Sequence, residues 1–115
     1  MSGSGSASRH WRNQRLTAIA LVPLGLWFLA SLLRQPSLGH ESVAGWLGRP
    51  MQALLAALFG GALLWHSMQG IQVVLEDYVG GRLRAASIAI ARALHLAAAV
   101  ALAYALWVLA RGAAA

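Results

Sequence analysis

Three apolar runs, each about as long as a membrane is thick, constrain this 115-residue chain more than any other feature. They cover approximately residues 16–33, 51–75 and 85–110, and short polar segments separate them. A helix needs about 20 apolar residues to cross the hydrocarbon core of a bilayer. Because lipid offers the backbone no hydrogen-bond partners, such runs cross it as helices. The sequence therefore predicts an all-α integral membrane protein with three transmembrane helices.

The polar segments divide the chain into a short N-terminal part and one membrane domain. Residues 1–15 are rich in Gly and Ser and then basic, so we expect a cytoplasmic segment whose residues 1–8 are disordered. Residues 16–111 form the three-span membrane domain, with a first loop at residues 35–50 and a second at residues 76–84. A short tail, residues 112–115, completes the chain.

The charge of the chain comes from nine arginines and three acids, which give a formal net charge of +6. Basic charge can indicate nucleic-acid binding, but these arginines cluster at the ends of the apolar runs, where they set topology and meet lipid. Five lie in the N-terminal segment and the second loop, against three on the opposite side. This imbalance predicts a cytoplasmic N-terminus and an external C-terminus. Cysteine is absent, which excludes disulfides and thiolate-bound clusters.

The segment 66–78, HSMQGIQVVLEDY, places an imidazole within the second span and a carboxylate and a phenol at its end. Because a helix advances 100° per residue, Asp77 shares the face of His66 and lies about 16 Å further along the axis. An ionisable group within a span is costly and usually faces a partner or a cavity. His66 is therefore either a neutral imidazole bonded to a neighbouring helix carbonyl or an axial haem ligand, with a second His from elsewhere.

Further polar residues have both a structural and a functional interpretation. Asp77 and Tyr78 are either solvated residues or a quinone site, in which the Tyr78 phenol donates a hydrogen bond to a quinone carbonyl. Arg15 is either a topology anchor or a partner of haem propionates. We expect His95, on the third span, to pack or hydrogen-bond, and Arg92 to reach the interface or pair with an acid or propionate.

Two segments resemble the D-type hydrophobic membrane anchor of bacterial succinate dehydrogenase. Residues 66–79 match its H-x3-G-x3-V-L-x-D-Y-V pattern, and residues 15–21, RLTAIAL, resemble the R-x-T-A-I-x-L opening of its first helix. The resemblance implies a complex II membrane anchor in the bacterial inner membrane, without enzymatic activity alone. It would form half of a six-helix domain with a second, C-type anchor subunit, and the flavoprotein and iron–sulfur subunits would dock on its cytoplasmic face.

The resemblance also implies roles for the candidate residues. His66 becomes one axial ligand of haem b, and a partner subunit supplies the other. Arg15 matches an arginine near the haem propionates. Tyr78 becomes a hydrogen-bond donor to ubiquinone, with Asp77 beside it. His10 is left out because its spacing to Arg15 differs from that in relatives.

Three alternatives remain open at this point. The chain could anchor a fumarate reductase or another quinone-linked complex. It could be a haem-free transport or channel subunit in which His66, Asp77 and Arg92 form a proton path. It could also be a purely structural anchor in which His66 only packs.

Overall fold

The computed structural model describes residues 3–114, and this part of the chain forms four helices and no strand. The helices are α1 (Gly3–Leu33), α2 (His40–Leu47), α3 (Pro50–Tyr78) and α4 (Gly81–Ala114). The segments Gly5–Leu33, Pro50–Tyr78 and Gly81–Gly112 are long and apolar enough to cross a membrane, judged by length and composition. The predicted all-α fold with three membrane-crossing helices is confirmed.

Helix α3 is the centre of the bundle, with α1 and α4 packed against it in antiparallel directions. On each side, contacts join an early residue of one helix to a late residue of its neighbour: Thr17 to His66, Gly25 to Phe59, Ser67 to His95, and Gly60 to Leu102. The bundle is 54 Å long. The start of α1, the end of α3 and the start of α4 therefore lie at one end of it, which we call the N-terminal end.

Helix α1 begins well before the predicted first span. Residues 3–8 are helical, where we expected disorder, and Met1 and Ser2 lie outside the described residues. Extending a helix costs much less than nucleating one, so the formed span supports further turns despite the Gly and Ser content. The 31-residue helix is about 46 Å long, against about 30 Å for the bilayer core. If residues 16–33 cross the membrane, the preceding turns project beyond it.

The connection between α3 and α4 is much shorter than the predicted loop at residues 76–84. Only Val79 and Gly80 are outside the two helices. Gly81 has a φ of 60°, a left-handed conformation that glycine adopts without steric cost. The Arg84 Nε group donates a hydrogen bond to the Val79 carbonyl oxygen at 2.7 Å. This tight reversal keeps the end of α3 beside the start of α4.

Within the predicted first loop, the eight-residue helix α2 packs against the bundle through Trp46. The Trp46 side chain is only 4% exposed. Its ring centroid lies 6.0 Å from that of Trp27 and 5.6 Å from that of Phe28. The Phe28 ring in turn lies 5.3 Å from the Phe59 ring on α3. This aromatic cluster joins α1, α2 and α3 at the end of the bundle away from the N-terminal end.

Replacing Trp46 with alanine is expected to lower the free energy of unfolding by about 3 kcal/mol, because it leaves a cavity among packed rings. Trp65 is the matched control, since its side chain is 57% exposed and its loss should cost about 0.5 kcal/mol or less. The unfolding free energies of both variants can be measured in detergent micelles by titration with dodecyl sulfate, with circular dichroism as the signal. Equal losses for the two variants would contradict the role given to Trp46.

Few apolar side chains are buried within this chain alone. Among the described residues, the buried apolar side chains are those of Trp46, Ala56 and Leu106. Large apolar side chains are exposed along all three long helices. Contiguous exposed apolar surface suits lipid or a partner's helices. The chain therefore presents membrane-facing or partner-facing surfaces rather than a closed core.

Candidate functional site

His66 lies where α1 packs on α3, and its side chain is half-buried. The Thr17 hydroxyl oxygen on α1 lies 3.0 Å from His66 Nδ1. The same hydroxyl oxygen lies 3.0 Å from the carbonyl oxygens of Asn13 and Gln14, one turn earlier on α1. His66 thus contacts the neighbouring helix through a side-chain hydroxyl. The structural alternative for His66 had a backbone carbonyl as its partner.

This contact favours one of the two ring nitrogens of His66 for binding a ligand. Carbonyl oxygens only accept hydrogen bonds, so those of Asn13 and Gln14 attract the single hydroxyl proton of Thr17. The hydroxyl oxygen can then accept a hydrogen bond from a protonated Nδ1 of His66. In that tautomer the lone pair is on Nε2, which is the atom a metal would bind. A hydrogen bond of this kind orients metal-binding histidines and fixes their tautomer.

His66 and Arg15 line the same groove. The groove is open, has a volume of about 410 Å³, and is lined in addition by Gln14, Ala18, Ile19 and Val22. The Arg15 guanidinium carbon lies 4.9 Å from the centre of the Trp11 ring. A cation over an aromatic face is held electrostatically, which positions Arg15 at the groove. The two residues predicted to hold one cofactor are therefore brought together by the packing of α1 on α3.

The donors in this groove suit a haem and do not suit a metal ion held by protein side chains alone. Nowhere in residues 3–114 do three His, Asp or Glu side chains come together. A haem brings its own equatorial nitrogen donors and requires only axial ligands from protein. His66 can supply one such ligand, Arg15 can pair with a propionate, and the apolar wall suits a macrocycle.

Asp77 and Tyr78 lie in the last turn of α3, at the N-terminal end of the bundle. Both are exposed, and Tyr78 is 85% exposed. Because α3 is continuous, Asp77 lies about 16 Å along the helix axis from His66. In the described part of the chain, no hydrogen bond joins either side chain to another residue. The structure thus separates this pair from the His66 groove and leaves the Tyr78 phenol accessible.

His95 and Arg92 lie on α4 and contact a different face of α3. His95 Nδ1 lies 2.8 Å from a backbone carbonyl oxygen one turn earlier, and Nε2 lies 3.1 Å from the Ser67 hydroxyl oxygen. The hydrogen-bonding role predicted for His95 is confirmed. Arg92 donates to Gln72 Oε1 at 3.1 Å, and Gln72 Nε2 donates to Glu76 Oε1 at 2.8 Å. Arg92 therefore reaches a carboxylate only through an amide.

Comparison with known proteins gives the same family as the resemblance carried by the motif in residues 66–79. The family model described as succinate dehydrogenase/fumarate reductase transmembrane subunit matches residues 2–110. The chain belongs to this family. The resemblance inferred from the sequence is thereby confirmed for nearly the whole length of this transmembrane subunit.

Several curated relatives of this transmembrane subunit are named succinate dehydrogenase anchor subunits. The Rickettsia bellii protein is 38% identical over 74 residues, which cover 64% of this chain and 59% of that protein. The Paracoccus denitrificans protein is 33% identical over 90 residues, which cover 75% of this chain and 69% of that protein. The Reclinomonas americana protein is 35% identical over 81 residues, covering 66% of each. No solved structure shows a significant match to the chain.

Thr17 is the residue of this transmembrane subunit that sequence reasoning did not single out. It lies in the segment 15–21 that resembles the opening of the family's first helix. A hydroxyl within an apolar span is itself a signal, because such groups bond to a neighbouring helix. However, Thr17 contacts His66 only because of the register in which α1 packs on α3, and the sequence does not specify that register.

Proposed function

We propose that this transmembrane subunit anchors a succinate dehydrogenase in the membrane, supplies one axial ligand to a haem b, and contributes a hydrogen-bond donor to a quinone site. The groove lined by His66 and Arg15 is the observation that carries the proposal. The names of the curated relatives favour succinate dehydrogenase over fumarate reductase within the family. The chain contributes binding groups and has no reaction of its own.

His66, Thr17 and Arg15 would divide the binding of the haem among them. His66 Nε2 would provide one ligand to the haem iron, and a histidine of a partner subunit would provide another. Thr17 holds the His66 ring and its tautomer through Nδ1, while Arg15 neutralises a propionate at the groove. The haem, when bound, supplies one-electron transfer within the membrane.

Tyr78 and Asp77 would serve the quinone. The accessible Tyr78 phenol donates a hydrogen bond to a quinone carbonyl, which polarises it towards reduction. Quinone reduction consumes two protons and two electrons, and Asp77 orients the phenol or passes a proton at the mouth of the site. The arginine distribution favours a cytoplasmic location for this end of the bundle, and protons would be supplied from that side.

The exposed apolar surfaces of the long helices fit a second, C-type anchor subunit that would complete a six-helix domain. The flavoprotein and iron–sulfur subunits would dock on the cytoplasmic face, and electrons from succinate would pass through the iron–sulfur subunit to ubiquinone. The complex would lie in the bacterial inner membrane, with the C-terminus of this chain on the periplasmic side.

Purification of the chain from its native membrane tests this assignment. A C-terminal affinity tag and a mild detergent should retain a second anchor subunit, a flavoprotein and an iron–sulfur protein. The preparation should reduce ubiquinone with succinate as the electron donor. A chain that purifies without partners and without succinate-oxidising activity would refute the proposed function.

Thr17→Val tests how His66 is held. Valine keeps the shape of threonine but removes the hydroxyl that bonds to Nδ1, and removal of such a partner commonly weakens metal binding about 10- to 100-fold. We expect loss of haem during purification or a shifted haem reduction potential, while Thr17→Ser retains the wild-type properties. Haem content and a potentiometric titration provide the measurement. Identical haem content and potential in the valine variant would show that the hydroxyl has no such role.

A further inference from the structure

A second cavity, of about 690 Å³, lies among α1, α3 and α4. It shares no lining residue with the groove of His66 and Arg15. On α3 it is lined by the face that includes Gly61, Trp65 and Gln72, which is turned well away from His66 on the helical wheel. None of the roles proposed above uses this cavity.

The lining of the cavity changes from basic and polar to apolar along the bundle axis. Arg9 and His10 on α1 and Arg92 on α4 line it towards the N-terminal end. Gly61 and Ala99 line it deeper in the bundle. The distance along α3 from the level of Gln72 to the level of Gly61 is about 16 Å. The cavity therefore has the polarity and length suited to a molecule with a charged head and an apolar chain.

Two buried polar atoms of residues that line this cavity have no hydrogen-bond partner within the described residues. Gln69 is 8% exposed, and its buried Oε1 has no hydrogen-bond partner. The buried Nε2 atom of His10 is likewise without one. An unpaired polar group in the interior costs free energy, so these atoms indicate a missing polar ligand.

The charge at the cavity is positive. Its lining contains two arginines and no acid. Arg92 hydrogen-bonds to the neutral amide of Gln72, and Glu76 is held on the other side of that amide. A cation near a membrane span usually pairs with an anion, and basic pockets between transmembrane helices bind anionic lipid head groups.

We propose that this cavity binds an anionic phospholipid. The phosphate lies among Arg9, His10 and Arg92, and an acyl chain follows the apolar lining towards Ala99. Head-group hydroxyls, as in phosphatidylglycerol, can donate to Gln69 Oε1 and satisfy it. The site is independent of the haem and quinone proposals, because it rests on different residues and a different cavity.

Lipid retention tests the proposal with the complete protein purified from its native membrane. The preparation is delipidated in detergent and incubated with phosphatidylglycerol or phosphatidylcholine, and native mass spectrometry counts the lipids that remain bound. We expect the wild type to retain phosphatidylglycerol in preference to phosphatidylcholine. Arg9→Gln combined with Arg92→Gln should weaken phosphatidylglycerol binding about tenfold or more. Arg82→Gln is the matched control, since Arg82 is exposed on α4 and does not line the cavity.

A second variant tests the apolar part of the cavity without changing charge. A Cβ added at Gly61 meets no atom within 4 Å, so the backbone there tolerates a side chain. Because Gly61 lines the cavity, a leucine at this position would occupy space that an acyl chain would use. Gly61→Leu should lose the retained lipid, and Gly61→Ala should keep it. Equal retention of the two lipids by the wild type, or unchanged phosphatidylglycerol binding in both the arginine and leucine variants, would overturn the proposal. Displacement of a quinone instead of a phospholipid by Gly61→Leu would also overturn it.

Discussion

A protein in which His66 is replaced by alanine is expected to lose haem or to carry a haem with an altered spectrum. The substitution removes the only proposed axial ligand from this chain, and the identity of the axial ligands sets both spectrum and potential. Haem content should fall about tenfold, or the reduction potential of the remaining haem should shift by on the order of 0.1 V. Optical spectra of the oxidised and reduced complex, together with a potentiometric titration, measure these changes.

His95→Ala is the matched control for this experiment. His95 is also an imidazole within the bundle, but its partners are Ser67 and a backbone carbonyl, and it does not line the groove of His66. Its loss should leave the haem spectrum unchanged. An unaltered spectrum in the His66 variant would remove the ligand assignment, and Thr17 would then only pack helices.

Tyr78→Phe is expected to impair quinone reduction while leaving assembly intact. The side chain is 85% exposed at the end of α3, so removal of its hydroxyl should not disturb packing. Loss of one hydrogen bond to the reacting carbonyl corresponds to about a 10- to 100-fold decrease in kcat/KM for quinone. Steady-state succinate:quinone reductase assays measure this, and succinate oxidation by an artificial acceptor should continue at the wild-type rate.

Tyr104→Phe provides the comparison for Tyr78. Tyr104 lies on α4 towards the opposite end of the bundle, where its ring centroid is 6.0 Å from that of Trp107. Its hydroxyl is not part of the proposed quinone site, so quinone reduction should be normal. Unchanged quinone reductase activity in the Tyr78 variant would refute its role as a donor.

The fold could be predicted from the sequence because lipid offers the backbone no hydrogen-bond partners, so an apolar run that crosses it forms a helix. Each predicted span lies within a helix, and the order of the helices follows the order of the runs. The helix ends could not be predicted in the same way. Residues 3–15 are helical because the span supports further turns, and α2 depends on Trp46 meeting rings from two other helices. Such tertiary contacts leave little local signal.

The candidate site likewise has a part that the sequence could predict and a part that depends on how the helices pack. His66, Asp77 and Tyr78 lie on one continuous helix, so sequence spacing alone gives their separation along the axis. The meeting of His66 with Thr17 and Arg15 requires the register of α1 on α3, which the sequence does not specify. The second cavity depends on three helices at once, and it could not be anticipated from any single segment. The family of the chain is confirmed, whereas the haem and quinone roles remain predictions.

The most direct measurement of the central claim is an optical difference spectrum of the protein purified gently from its native membrane. Reduction by dithionite should produce the α and Soret bands of a b-type haem, and addition of succinate should reduce a flavin that co-purifies with the chain. That result would establish an anchor that holds haem b in a succinate-oxidising complex. A colourless preparation without succinate-reducible flavin would contradict the proposed function and leave His66 as a packing residue.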